Sequence, residues 1–437
     1  MQKLIKRMEY FTIDDFDLKG KTTIVRVDIN TYYDVSSKKL SDSPRIRAHA
    51  KTIKELQEKG AKVVVLAHQG RKGDEDFISL EKHADLLNRY LERSIEFVDD
   101  IVGEKAKKKI KELKDGEAIL LDNVRFLDDE TKEKSIEEHA NSTIVRELAP
   151  LANYFVLDGF SVAHRSHASV VGFSTVLPSM AGRVMEKELK AISRAFFDFG
   201  DKFKIVGNLL LHDLPRFQLK WDVFILAGAK VDDCLKVMER LVTSKNLEMK
   251  KILLGGLTAN LFLHASNIDI NDENRKVLQD MGYLQLEDRA KKLLENYKNN
   301  IILPEDIAIE EDGNRVEYDV KNIPKKSLIL DVGRKTIDKF KEILKDAKYV
   351  IVKGPLGMYE RQPFSIGTRE ILEFLSNLRG FTLIGGGDTS TALELFGIPE
   401  EKFSYVSLAG GALIDYLSGK ELPGIKALEI SYKKFKK

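Results

Sequence analysis

Four arginines carry the first chemical signal in the chain. Arg45, Arg71, Arg125 and Arg165 stand in PRIRA (44–48), HQGR (68–71), DNVRF (122–126) and AHRSH (163–167). A guanidinium fork matches a phosphate or a carboxylate. One such arginine reads as a surface ion pair. Four of them, beside the triplets Asp28-Ile29-Asn30 and His68-Gln69-Gly70, read as an anion site. His164 and His167 are loosely spaced and lack a paired carboxylate or third imidazole, so they read as loop-shaping or anion-bonding groups rather than metal ligands.

Glycines carry the second signal. Gly385-Gly386-Gly387-Asp388-Thr389 ends a strand-like run and opens a helix-like one, where successive backbone N–H groups cradle an anion. Asp388 and Thr389 could carry or orient Mg²⁺ there. Ala227-Gly228-Ala229-Lys230 repeats the arrangement and adds a cation. Gly354-Pro355-Leu356-Gly357, with Glu360 after it, and Ala409-Gly410-Gly411 are two further turns. Four glycine turns outweigh the reading that glycine merely joins strand to helix. Familiar motifs fail. Gly20-Lys21-Thr22 has Asp15 where a phosphate loop needs its first glycine, and Ser390 stands where a dinucleotide fingerprint needs its third.

The elements that must position these residues follow a β-α rhythm. Runs at 22–28, 62–67, 118–122 and 154–158 read as buried strands, and the pattern restarts at 223–228, 251–256, 300–304, 327–333, 348–354, 381–387 and 405–410. Ser43 is placed to cap a helix that Pro44 opens and Gly60 closes. The expected fold is α/β: two lobes, each a parallel sheet with helices on both faces, joined by a hinge helix. The expected boundaries are 1–178 for the first lobe, 179–197 for a connecting helix without a strand partner, 198–410 for the second lobe, and 411–437 for a returning C-terminal segment. Residues 198–222 read as an insertion. In such sheets ligands bind beyond the carboxyl ends of the strands, where all these residues fall. An anion site on one lobe and phosphate turns on the other suit phosphoryl transfer.

Composition narrows the class. The 437 residues predict two or three domains. A net charge of +2 argues against nucleic-acid binding by net charge. The single cysteine, Cys234, excludes internal disulfides and a cysteine-built zinc site and suits a reducing cytoplasm. No apolar run approaches a membrane span, and charges interrupt the N-terminus too often for a signal peptide. Charged residues at 32% hint at heat adaptation. Small-molecule substrates are expected, with no nucleic acid and no membrane. A monomer is expected, a dimer being the alternative.

These motifs resemble phosphoglycerate kinase along almost the whole chain, in order and spacing. The carriers are RVDIN (26–30), PRIRA, HQGR, DNVRF, DGFSVAHRSHAS (158–169), AGRVMEKEL (181–189), GAKVDD (228–233), LPEDIAI (303–309), GPLGMYE (354–360), GGGDT (385–389) and AGGALIDYLSGKELPG (409–424). HQGRKGD and LTANLFL (257–263) are similar to the archaeal branch, and residues 1–7 read as an extension. The resemblance implies 1,3-bisphosphoglycerate + ADP ⇌ 3-phosphoglycerate + ATP with Mg²⁺, in glycolysis and gluconeogenesis. It implies that Asp28, Asn30, Arg45, His68, Arg71, Arg125 and Arg165, with the intervening Ile29, Gln69 and Gly70, hold the glycerate and its phosphate. Lys230, Arg45 and Gly386 would be catalytic. Gly228, Lys230, Gly357, Glu360, Gly386, Gly387, Asp388 and Thr389 would bind ADP or ATP, with Asp388 on the metal. The family's second lysine is Cys234 here, and its asparagine before Gly-Pro is Lys353. Lys353 reads either as a solvated lysine or as a partial replacement for the missing charge. A non-catalytic phosphometabolite- or nucleotide-binding protein on the same fold is the alternative, against which Lys230, Arg45 and Asp388 all stand.

Overall fold

Thr22–Arg26 (β2) and Lys62–Leu66 (β5) are β-branched and aliphatic runs buried on both faces, the signature of central parallel strands. In the computed structural model, which describes residues 9–196, 219–243, 247–417 and 420–436, they centre a seven-stranded parallel sheet. The others are Phe11–Thr12 (β1), Ile95–Val98 (β6), Ala118–Leu121 (β7), Tyr154–Leu157 (β8) and Ser179–Ala181 (β9). The order is β1-β9-β8-β2-β5-β7-β6. A hairpin of Tyr33–Asp34 (β3) and Lys39–Leu40 (β4) follows β2. The helix Pro44–Glu58 packs Ile46, Ala50, Ile53 and Leu56 into a core with Val25, Val63, Val65 and Leu120. Ser43 holds its N-cap position in extended geometry, but its hydroxyl makes no cap bond.

The expected helix 179–197 is corrected. Ser179–Ala181 pair with Phe155–Leu157 as β9, and the helix is Arg183–Phe196. The cause is tertiary. The Asp158 carboxylate, at the end of β8, accepts the Val184 N–H at 2.9 Å and starts the helix there. A Cβ at Gly182 would lie 2.2 Å from that carboxylate. Strands β1 and β6 went unpredicted because they are short and only partly buried.

The second main sheet is also parallel, in the order β12-β11-β10-β16-β17-β18, comprising Leu219–Leu226 (β10), Leu247–Leu254 (β11), Ile301–Ile302 (β12), Tyr349–Lys353 (β16), Phe381–Gly385 (β17) and Tyr405–Ser407 (β18). The supposed insertion 198–222 is corrected at its end, since 219–222 begin β10; residues 198–218, like 1–7, lie outside the described residues. A separate antiparallel sheet joins Asp306–Glu311 (β13), Asn314–Asp319 (β14) and Asp331–Val332 (β15). The strand expected at 327–333 is reduced to β15 and leaves the parallel sheet. The Asp312-Gly313 turn of the β13–β14 hairpin has positive φ at both residues, the requirement of a tight hairpin turn.

Two compact units result: Met1–Asp213 with Gly419–Lys437, and Leu214–Ser418. The helix Pro423–Phe435 belongs to the first; Ser431 Oγ accepts the Ser179 N–H at 2.7 Å, and Gly424 N donates to Ala163 O at 2.8 Å. The helix Gly411–Leu417 belongs to the second, so the segment expected to return from 411 does so only from 419. Among the described residues no helix is long and apolar enough to cross a membrane.

Candidate active site

In the first unit the chemistry hangs from four neighbouring strands, β8-β2-β5-β7. Their carboxyl ends deliver, respectively, residues 158–167, Asp28–Asn30, His68–Arg71 and Asn123–Arg125. Asp28 is 2% exposed. Burial alone would raise its carboxyl, but Arg45, His68 and the Ser161 hydroxyl hold it well below the usual carboxylate range. Arg45 Nη1 lies 3.0 Å from Asp28 Oδ2. Asn30 Oδ1 accepts the Gly70 N–H at 3.0 Å, and Arg125 donates to Gly70 O.

Arg71, Lys72, Arg125, His164, Arg165 and His167 line a cavity of about 490 Å³, with Asp128 and Glu133 also on its wall. Burial and the neighbouring guanidiniums Arg165, Arg26 and Arg71 push Arg125 down to about 10. Arg165 is lowered by burial. Burial and Arg165 push His167 down to about 3, so it is a neutral donor or acceptor at physiological pH. Cations that lower one another in a cavity are an arrangement that an anion would relieve.

Not every expected residue offers its side chain. Ile29 is fully buried in the core. Gln69 donates to Thr31 O at 3.0 Å and Asp76 at 3.1 Å and accepts from Thr31 N at 3.0 Å. Arg26 went unrecognised. It lies within the strand rather than after it, yet is 1% exposed and contacts His68 Nδ1 at 3.0 Å. His49, on the helix Pro44–Glu58, places Nδ1 2.6 Å from Asp158 Oδ2, and its Nε2 accepts the Asp28 N–H at 3.3 Å.

In the second unit the glycine turns hang from another four neighbouring strands, β10-β16-β17-β18. Gly386 adopts φ +103° as N-cap of the helix Gly387–Phe396, and a Cβ on Gly387 would meet nothing within 4 Å. Gly354 has φ +83°, and a Cβ there would lie 2.1 Å from Ala227 O, so only glycine lets this turn pass beside the Gly228 turn. At Gly357 a Cβ would lie 2.3 Å from the buried Asp331 carboxylate. Lys230 Nζ lies 3.7 Å from Asp388 Oδ2, with side chains 66% and 56% exposed. Tyr359 is pushed up to about 12 by burial and by the carboxylates of Glu360 and Asp388.

Two expectations are corrected here. Thr389 is 1% exposed, and its hydroxyl accepts the Gly354 N–H at 3.0 Å and donates to Gly385 O at 3.3 Å, so the hydroxyl is taken up in fastening two turns. Lys353 is not a solvated lysine. It is 8% exposed, with Nζ 3.6 Å from Cys234 Sγ and 4.0 Å from Asp233 Oδ2.

Among the described residues no group of three or more His, Cys, Asp or Glu converges as a metal cage. A single open carboxylate at a helix N-terminus, Asp388, fits an ion that arrives with a nucleotide and keeps phosphate and water ligands, as Mg²⁺ does.

Comparison with known proteins agrees with this arrangement. The family model described as phosphoglycerate kinase matches residues 13–207 and 215–420. A phosphoglycerate kinase of Methanosarcina mazei is 41% identical over 436 residues, covering 100% of this chain and 99% of the relative. The crystal structure of phosphoglycerate kinase from Pyrococcus horikoshii OT3 superposes with a TM-score of 0.87 at 35% identity, covering 97% of this chain and 100% of that one. The structure of the Coxiella burnetii enzyme gives 0.71 at 27% identity, covering 96% and 99%. The chain belongs to the phosphoglycerate kinase family, kinases that transfer a phosphoryl group to and from a carboxyl group.

Proposed function

We propose that the chain catalyses reversible, Mg²⁺-dependent phosphoryl transfer between 1,3-bisphosphoglycerate and ADP, giving 3-phosphoglycerate and ATP, as a cytoplasmic step of glycolysis and gluconeogenesis. The observation that carries this reading is the pairing of an arginine-lined cavity in one unit with Lys230, Asp388 and glycine turns in the other. The first unit takes the glycerate, and Arg71, Arg125 and Arg165 anchor its non-reacting phosphate. The second takes the nucleotide, with Gly228, Gly357 and Glu360 around it and Gly386 and Gly387 offering backbone N–H groups to phosphate.

Phosphoryl transfer asks for positioning and charge neutralisation rather than a strong acid or base. Lys230, on a long exposed stem, meets the negative charge spread over the moving group, and Arg45 meets it from the glycerate side. Asp28 keeps Arg45 aimed through their ion pair. Asp388 would hold Mg²⁺, which neutralises nucleotide phosphate charge when bound. The helix Arg183–Phe196 and the C-terminal segment act as the hinge.

A coupled assay for ATP formation from 1,3-bisphosphoglycerate and ADP, with and without Mg²⁺, tests the reading. ATP formation that requires the metal is the expected result. Binding of both ligands without turnover would favour the non-catalytic alternative.

A further inference from the structure

Arg26 is a buried cation whose three nitrogen atoms are all committed. Nε donates to Ser169 Oγ at 2.8 Å, Nη1 donates to Val27 O, and Nη2 lies 3.0 Å from His68 Nδ1. Guanidinium can only donate. His68 Nδ1 must therefore accept, which leaves the ring proton on Nε2. Asp28 Oδ1, 4.0 Å from Nδ1, is too far to claim that nitrogen. Behind Ser169 stands Glu130, fully buried: Ser169 Oγ lies 2.6 Å from Glu130 Oε1, and Ser169 N donates to Glu130 Oε2 at 2.9 Å. Having accepted from Arg26, the serine hydroxyl gives its own proton to the carboxylate. A hydrogen-bonded chain links Glu130, Ser169, Arg26 and His68, with Arg26 donating inward through Ser169 to Glu130 and outward to the imidazole beside Asp28.

We propose that Glu130 and Ser169 are positioning residues of the anion site: they lock the Arg26 guanidinium, and Arg26 holds His68 as the neutral Nε2–H tautomer. Glu130 and Asp28 are the carboxyl groups that act on this buried guanidinium. Without these hydrogen bonds, Arg26 loses its anchor and His68 exchanges between tautomers. A site already crowded with guanidiniums then presents its imidazole in the wrong hydrogen-bonding sense. The inference rests on the proposed glycerate role of this unit for its kinetic consequence, but not for its structural one.

The test uses Ser169→Ala, which keeps every charge and removes one hydroxyl, beside Glu130→Gln, which removes the charge and keeps the shape. Nitrogen-15 spectra of histidine-labelled protein should show His68 Nδ1 as the unprotonated nitrogen in the parent and averaged ring nitrogens in both variants. KM for 3-phosphoglycerate should rise about tenfold, the scale of losing a hydrogen bond to a charged group, while KM for ATP moves less than twofold. If Glu130→Gln does not fold, Ser169→Ala alone decides. A variant with an unchanged His68 spectrum, or with KM for 3-phosphoglycerate within twofold of the parent, overturns the proposal. Should the parent show no kinase activity, the proposed function fails, and the spectra still decide the tautomer.

Discussion

At the scale of single residues, two lysines of the second unit have opposite environments. Lys230 is mostly exposed and stands 3.7 Å from Asp388, so it is free to follow a phosphoryl group. Lys230→Ala should lower kcat by roughly a hundredfold, the effect of losing one preorganised stabiliser, with smaller changes in KM. Steady-state kinetics showing near-normal kcat would remove it from the catalytic set. Lys353 is buried with its ammonium beside Cys234, and burying a cation is costly unless an anion compensates it. Lys353→Asn should weaken ADP binding by up to about a hundredfold, given roughly 1–3 kcal/mol for a charged contact. Adding Cys234→Lys should recover it. Titration calorimetry of the single and double variants measures both; unchanged ADP affinity in the single variant would mean that Lys353 does not reach phosphate.

At the scale of elements, the strand orders divide the labour. The arginines hang from β5, β7 and β8 in one sheet and the glycine turns from β10, β16, β17 and β18 in another. An arginine truncation should therefore be felt by one substrate. Arg125→Ala should raise KM for 3-phosphoglycerate by the equivalent of roughly 1.5–3 kcal/mol and leave ATP affinity nearly unchanged. Loss of nucleotide binding with 3-phosphoglycerate binding intact would reverse the assignment of the units. Arg125 also donates to Gly70 O, so part of the loss will reflect the His68–Arg71 turn rather than the phosphate contact.

At the scale of the whole molecule, one buried carboxyl tilts stability with pH. Burial pushes Glu130 from its ordinary 4.5 up to about 7, against the pull of Arg26, Ser169 and Arg125. A carboxyl raised on folding favours the protonated form, so its contribution is present below about pH 4.5 and is lost as pH rises through 7. Denaturant unfolding from pH 4.5 to 8 should show Glu130→Gln gaining on the parent as pH rises; a flat difference would mean that the group does not titrate in this range. The proposed transfer between ligands held by separate units predicts closure on binding both. Solution scattering should show a smaller radius of gyration with both substrates than with either alone, and an unchanged radius in active protein would rule out ligand-driven closure.

The order of residues alone yields the two α/β halves and most strands of both parallel sheets, and puts Asp28, Arg71, Arg125, Lys230 and Asp388 just after strands. Parallel strands are continuous apolar runs, and ligand groups follow them directly, so both are local signals. Partnership, by contrast, is settled by packing. Asp158 starts the helix at Arg183 from another strand's end, and Ser431 caps the edge of β9 from 252 residues away. The hairpin that turns at Asp312-Gly313 does not emerge from the sequence, because its strands alternate too weakly. Gln69 and Thr389 look like ligand groups by position, yet their polar atoms are taken by backbone and side chains remote in sequence. Arg26 and Glu130 look like ordinary charges, yet folding buries them together. Burial and the identity of a hydrogen-bond partner are properties of the packed chain, and no spacing along the sequence encodes them.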